Sequence, residues 1–332
     1  FLEEWGEGES SSKWRQDIKK RLQEMVKEGK MVRGSLVIIT HNLYDGSCYE
    51  DCLKTAAAIE LLHTGILMHD DIIDKDDFRR GLKTFQRQYR DFAEEKGVDQ
   101  KNHFGLSMGI AGGDVSFFLG QKLLARLGCE HGKASQVQEL VFQEFANVGL
   151  AEQVDIYAGY SGDELTEEEI LNLYRNKTAR YTFSLPLRAG AVLADVDHDE
   201  QQSLYELGEK IGTIFQLKDD ELGLFGDEDK IGEDIGSDLD EDKKTIHRLL
   251  LLEKLSVEKE EEVREKLGTN LSRDEREEIA ELMENEGVKQ EVREKMEDLA
   301  EEAFDMIEEL KLDEESKNFL REITTFCLER EK

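Results

Sequence analysis

An all-α fold, a single large helical bundle with a C-terminal helical annex, is predicted by three features of the sequence. One proline, Pro186, occurs in 332 residues, and a helix interior excludes proline because it lacks an N–H and clashes with the preceding turn. Long apolar segments recur with helical rather than alternating spacing. The many turn signals of an all-β chain of this length are missing. Hydrophobic residues form 38% of the chain, sufficient for a real core. No linker, low-complexity spacer or repeat interrupts it, so residues 1–332 read as one domain.

The elements follow in order. After a polar start, KWRQDIKKRLQEMVKEGK has helical spacing and ends near Gly29. EDCLKTAAAIELLHTGILMHDDIID predicts a second, strongly apolar helix, and the polar insert KDDFRRGLKTFQRQYRDF follows it. GLSMGIAGGDVSFFLGQKLLARLG is apolar on most sides and predicts a central, buried helix. KASQVQELVFQEFANVGLAEQVDIYAG and LTEEEILNLYRNKTARYTFSLPLRAGAVLAD predict two more long helices, the second kinked at Pro186. DEQQSLYELGEKIGTIFQLKDD predicts another. Glycine and aspartate then dominate about residues 221–244, an expected ordered loop or lid, and shorter amphipathic helices are expected from Thr245 onward.

Charge excludes several partners. Acidic residues number 77 against 44 basic, a net −33, whereas nucleic acid and anionic membrane both call for a basic field. No apolar run approaches the roughly 20 residues of a membrane span, and the start, FLEEWGEGESSSKW, has no signal-peptide core. Cys48, Cys52, Cys129 and Cys327 in so long a chain read as reduced thiols of a cytoplasmic protein. Cys48 and Cys52 lie four apart with no matching second pair, which speaks against zinc.

Five aspartates fall between Asp70 and Asp77 in HTGILMHDDIIDKDDFRRG. On a helix Asp70 and Asp74 are i,i+4 and Asp71 and Asp74 are i,i+3, so all three can lean to one face. Something positive must offset them, and Mg²⁺ is often shared between carboxylates and a phosphate. A second cluster, Asp219 and Asp220, also closes an apolar helix, with Gln216 one turn earlier. Acids at helix C-termini oppose the helix dipole. Two such ends suggest a metal-clamped diphosphate above an apolar cavity. Basic residues stand where an anion would need them: Lys30 and Arg33, Arg79 and Arg80, Lys177, then Lys243 and Lys244. Arginine offers phosphate a fork, lysine a point charge. His63 lies two turns before Asp70.

Together these segments resemble the trans-isoprenyl diphosphate synthases over nearly the whole chain. LLHTGILMHDDIIDKDDFRRG is similar to that family's first aspartate-rich motif, FQLKDD to the start of its second, and GKMVR to its Gly-Lys-Arg-x-Arg motif. NKTARYTFSLPL and DDELGLFGDEDKIGEDIGSD resemble the archaeal short-chain branch, such as geranylgeranyl diphosphate synthase. The resemblance implies an isoprenoid-synthase bundle with a central apolar cavity, two or three Mg²⁺ ions, and a homodimer. It also implies head-to-tail condensation of isopentenyl diphosphate with an allylic diphosphate primer. Asp70, Asp71, Asp74, Asp219 and Asp220 would bind metal; Lys177 joins Asp70, Asp71, Asp74 and Asp219 as catalytic. Lys30, Arg33, His63 and Arg80 would hold isopentenyl diphosphate, and Arg79, Lys177, Thr178, Gln216 and Lys243 the allylic diphosphate.

Three positions depart from the pattern: Met31 stands for Arg, Gly223 for the third Asp of the second motif, and Glu233 for Lys, with Lys230 nearby as a substitute. Ile59, Leu62, Ile66 and Asp70 form one helix stripe running away from the metal site, with Gly65 beside it. The family closes its cavity at farnesyl length with an aromatic at the positions of Gly65 or Ile66, so their absence implies a longer product, geranylgeranyl diphosphate, with the next longer prenyl diphosphate as the alternative. For Gly65 itself, close helix packing and space for a growing chain are both open. Two other readings are carried: a weakly active or regulatory subunit of a heteromeric synthase, which Met31 and Glu233 favour, and a terpene cyclase, against which FQLKDD argues.

Overall fold

The computed structural model describes residues 1–5, 13–27, 29–79, 81–226 and 235–331. Its helices are α1 (Leu2–Trp5), α2 (Lys13–Lys27), α3 (Val32–Leu43), α4 (Tyr49–Ile73), α5 (Phe85–Lys96), α6 (Lys101–Leu124), α7 (His131–Ser161) and α8 (Glu167–Tyr174). A π-helical stretch, Arg175–Ser184, leads into α9 (Leu185–Leu193), and α10 (His198–Phe225) follows. The remainder is α11 (Ser237–Asp240), α12 (Ile246–Lys254), α13 (Val257–Lys266), α14 (Arg273–Asn285), α15 (Val288–Glu309) and α16 (Glu314–Glu329). The fold is all-α. Among the described residues the only extended pairing is the antiparallel hairpin β1 (Phe78–Arg79) and β2 (Leu82–Lys83), inside the polar insert. No helix of the described residues is long and apolar enough to cross a membrane.

Packing divides the chain into two compact units, Phe1–Ile39 with Ser47–Gln138, and Thr40–Gly46 with Glu139–Lys332. In the first unit α4 lies against α6, and α5 packs on both. Helix α6 is not buried all round, as its composition predicted. Gly105, Gly109, Gly112, Gly113, Ser116 and Gly120 are buried, joined near its end by Leu119, Leu123 and Leu124, whereas Leu106, Ile110 and Phe118 are exposed. The small side is what lets α4 approach: a Cβ on Gly120 would stand 2.7 Å from Leu62 Cγ and 2.9 Å from the Ala58 carbonyl. Ser116 seals the contact by donating to the Leu61 carbonyl at 2.7 Å. Helix α5 buries Phe85, Tyr89 and Ala93, one residue per turn.

In the second unit α10 is central, packed by the π stretch, α9, α15 and α16. Local caps set the helix starts. Thr166 and Glu169 form a reciprocal capping box before α8, and Asp197 accepts from Glu200 N at 3.1 Å before α10, each satisfying donors the helix leaves open. Immediately upstream of Pro186, where a kink was expected, the helix takes π geometry. There the Leu185 N–H reaches the Arg180 carbonyl, five residues back, and Pro186 falls in the first turn of α9. Widened turns therefore precede the proline, whose ring in a regular helix would press on the carbonyl four residues back. Helix α10 also runs on to Phe225, so Asp219 and Asp220 lie within it rather than at its end.

Candidate active site

In the first unit, Asp70 and Asp71 occupy the last turn of α4, and Asp74 caps it with its N–H on the Asp70 carbonyl at 2.9 Å. The chain then turns back. Asp76 N–H donates to the Asp71 carbonyl at 2.9 Å, and Gln86 of α5 donates through Nε2 to the same carbonyl at 2.6 Å and to that of Asp76 at 3.0 Å. This clamp brings the hairpin's Arg79 onto the cluster. Its Nη2 lies 2.9 Å from Asp70 Oδ2 and 3.6 Å from Asp76 Oδ2, and its Nε donates to Asp71 Oδ1.

Asp71 is the buried member, 1% exposed. Burial pushes its carboxyl up to about 6, against the attraction of Arg79. Among the described residues its Oδ2 has no hydrogen-bond partner. A buried carboxylate oxygen without a partner is costly, so among the described residues this oxygen of Asp71 has room for a further positive charge even with Arg79 in place. Its donors are all oxygen, which suits a hard divalent cation. No group of three His, Cys, Asp or Glu side chains among the described residues is already gathered as a metal nest.

The second unit holds the other pair. Asp220 is buried; Gln216 Nε2 donates to its Oδ1 at 2.8 Å, as the i,i+4 spacing predicted, and Tyr174 OH donates to its Oδ2. Tyr174 is itself fixed by the Ile246 N–H at 3.1 Å. Burial, then the neighbouring charge of Asp238, pushes the Asp220 carboxyl up to about 8. Asp238 arrives on α11 beside Gly223, where a Cβ would lie 3.8 Å from Asp238 Oδ2. Asp219 is mostly exposed and accepts from Arg330 Nη2 at 2.6 Å; the same guanidinium donates to the Phe215 carbonyl at 3.1 Å and lies 3.9 Å from the Phe215 ring.

Besides Arg79, three of the cations that sequence reasoning set aside for diphosphate are held by carboxylates: Lys177, Lys243 and Lys244. Lys177, in the π stretch with half-buried Thr178, pairs with Glu152 at 2.9 Å and with Asp155. Lys243 pairs with Asp238 at 3.0 Å and Glu241 at 3.1 Å. Lys244 is buried on Asp242. Lys30 and Arg33 flank the start of α3, and Met31 between them is exposed with φ +50°, a left-handed conformation uncommon for such a side chain. His63 is buried within α4. Arg80, Lys230 and Glu233 lie outside the described residues.

The stripe on α4 is largely a packing surface. Ile59, Leu62 and Gly65 are buried and Ile66 is half-buried. A Cβ on Gly65 would stand 2.7 Å from the Phe117 ring of α6 and 3.0 Å from the Gly113 carbonyl. Close helix packing thus accounts for this glycine. Sequence reasoning missed Phe117, Tyr174, Asp238 and Arg330. Only Asp238 left a signal, as one of several acids in the Gly/Asp-rich segment.

Comparison with known proteins identifies the family. The polyprenyl synthetase family profile matches residues 15–285. A short chain isoprenyl diphosphate synthase of Methanocaldococcus jannaschii is 33% identical over 256 residues, 77% of this chain and 72% of that one. A farnesyl diphosphate synthase of Bacillus subtilis is 32% identical over 260 residues, 74% and 80% of the two chains. The crystal structure of a geranylgeranyl pyrophosphate synthase from Corynebacterium glutamicum, complexed with isoprenyl diphosphate and magnesium, superposes with a TM-score of 0.89 at 27% identity, covering 95% of this chain and 91% of that one. By these matches the chain is a trans-prenyltransferase and belongs to the polyprenyl synthetase family.

Proposed function

We propose that the enzyme condenses isopentenyl diphosphate with an allylic diphosphate, head to tail, and releases geranylgeranyl diphosphate. The observation that carries this reading is the pair of buried acidic side chains: Asp71 with its unpartnered oxygen, and Asp220, whose carboxyl burial and Asp238 push up to about 8. Both have the character of ligands awaiting a cation. Asp70, Asp71 and Asp74 are assigned one metal-binding role, and Asp219 and Asp220 the other.

When bound, Mg²⁺ supplies Lewis-acid neutralisation of the departing diphosphate. The chain's own residues do the rest. Arg79 presents a fork already matched to paired oxygens and exchanges carboxylates for the allylic diphosphate. Lys177, Thr178, Gln216 and Lys243 hold the same group, and Lys30, Arg33, His63 and Arg80 hold isopentenyl diphosphate. Arg79, Lys177 and Lys243 each release carboxylates as they take phosphate, so each keeps its charge balance on binding. The apolar side chains of α4 below Asp70 exclude water from the allylic cation.

Product length is assigned to Phe117. The relatives' names span farnesyl, geranylgeranyl and octaprenyl products, so kinship leaves the length open. Position 65 carries no aromatic, but the Phe117 ring reaches it from α6, which supports a floor short of long-chain products. A homodimer is also proposed, supported by the exposed Phe142, Leu150, Val154, Tyr157 and Tyr160 along α7.

The test is to incubate purified protein with Mg²⁺, isopentenyl diphosphate and an allylic primer, then identify the product after dephosphorylation. Geranylgeraniol is expected. A hydrocarbon would mean a cyclase, and no product with any primer would mean a regulatory subunit; either overturns the proposal.

A further inference from the structure

The N-terminal end of α4 holds two thiols that the reaction above does not use. Cys48 is the N-cap residue of α4, and its side chain makes no capping bond. Cys129 lies in the turn joining α6 to α7. Asp51, in the first turn of α4, fastens that turn to the helix. The Gly128 N–H lies 3.0 Å from both Asp51 oxygens, and Cys129 donates to the same carboxylate through its backbone N–H and its thiol. Cys48 and Asp51 are one helical turn apart, neighbours on the helix surface. The two thiols therefore flank one carboxylate, and Cys129 lies within the electrostatic reach of Cys48. Both are half-buried and neither is in a disulfide. The other two cysteines are enclosed: Cys52 donates its thiol to the Val37 carbonyl at 3.7 Å, and Cys327 is buried in the second unit.

We infer that Cys48 and Cys129 are a thiol–disulfide modification site, oxidised by a small-molecule disulfide to a bond that ties the start of α4 to the turn between α6 and α7. The Cys48 thiolate attacks one sulfur of the oxidant, forming a mixed disulfide and expelling one thiolate. Cys129 loses its proton to solvent and attacks the Cys48 sulfur, expelling the second. Two protein thiols are oxidised to one disulfide, and one oxidant disulfide is reduced to two thiols. The order follows from the surroundings. Burial, and then the Asp51 carboxylate, hold the Cys129 thiol above its ordinary range, and the thiolate is the nucleophile. Cys129 is the resolving partner. The bond closes a loop containing α4, α5 and α6, the helices that position Asp70 and Asp71, and so restricts the unfolded chain.

Full-length protein is treated with oxidised glutathione, freed of excess reagent, unfolded and alkylated. The expected result is two of the four thiols lost, a Cys48–Cys129 peptide pair by mass spectrometry, and a Tm raised by roughly 5–10 °C, reversed by dithiothreitol. Cys129→Ser should stop at a glutathione adduct on Cys48, and Cys48→Ser should keep its remaining thiols. Retention of all thiols in the wild type, pairing of Cys48 with Cys52, or a disulfide joining two chains would each overturn the inference.

Discussion

Replacing Phe117 by alanine tests what limits the product. The ring stands 2.7 Å from where a Gly65 Cβ would be, and under the proposed function it supplies from α6 the aromatic plug that a side chain on α4 could supply. Burying the five carbons of one further isoprene unit is worth about 0.8 kcal/mol per carbon, or roughly 4 kcal/mol, the gain that the proposed plug withholds. Phe117→Ala should therefore move the main product at least one isoprene unit beyond the wild type's. The cost is local. Phe117 is half-buried and meets His69 edge-on at 5.3 Å, so the loss of packing should be about 1–3 kcal/mol, a Tm drop of a few degrees. The assay uses one primer, excess isopentenyl diphosphate, dephosphorylation and reversed-phase separation of the alcohols. Gly65→Phe alone should fold poorly, because its side chain meets the ring and the Gly113 carbonyl. Gly65→Phe with Phe117→Ala moves the ring from one helix to the other and should recover both folding and a short product. An unchanged product from folded, active Phe117→Ala would refute the reasoning.

Asp71→Asn should lower turnover by about a hundredfold or more and weaken Mg²⁺ binding by calorimetry, with no loss of Tm, since a charge held in the interior is removed; full turnover at saturating Mg²⁺ would remove Asp71 from the metal assignment. Arg79→Ala should raise the KM for the allylic primer more than that for isopentenyl diphosphate, and lower stability by about 3 kcal/mol because Asp70 and Asp71 lose their fork; equal shifts in both constants would make Arg79 a general field only. His247 is buried on α12, and among the described residues neither ring nitrogen has a hydrogen-bond partner. Burial lowers it from 6.5 to about 4, with Lys289 acting in the same sense and Asp238 opposing. The unfolded chain then binds a proton below pH 6.5 that the folded chain refuses until about 4. Stability is full above 6.5 and should fall across that window by about 3 kcal/mol. Denaturant titrations at several pH values, with His247→Phe as control, measure it, and an acid limb unchanged in the variant would place the effect elsewhere.

The all-α class, the helix carrying the first aspartates and the Gln216–Asp220 contact were legible because they depend on local geometry. A 3.6-residue period is written in the order of residues, and an i,i+4 pair meets wherever a helix forms. The end of α10 was misplaced by composition alone: the acids suggested a terminus, yet the helix continues through Leu222 and Leu224, and Leu224 is buried. The buried face of α6 was also hidden. Its Leu, Ile and Phe dominate a count of apolarity, yet Leu106, Ile110 and Phe118 are exposed and much of the side that packs is glycine, chosen by how near α4 must come. Arg330 reaching Asp219 and Asp238 reaching the place of Gly223 join residues remote or irregularly spaced in the chain. Nothing in a run of charges singles one out, because a charge's partner is set by distance in space and no sequence period carries that distance. The sequence alone determined the all-α class and where the acids lie, though not α3 or α5 as helices; the tertiary packing decided which neighbour each acid and each glycine meets.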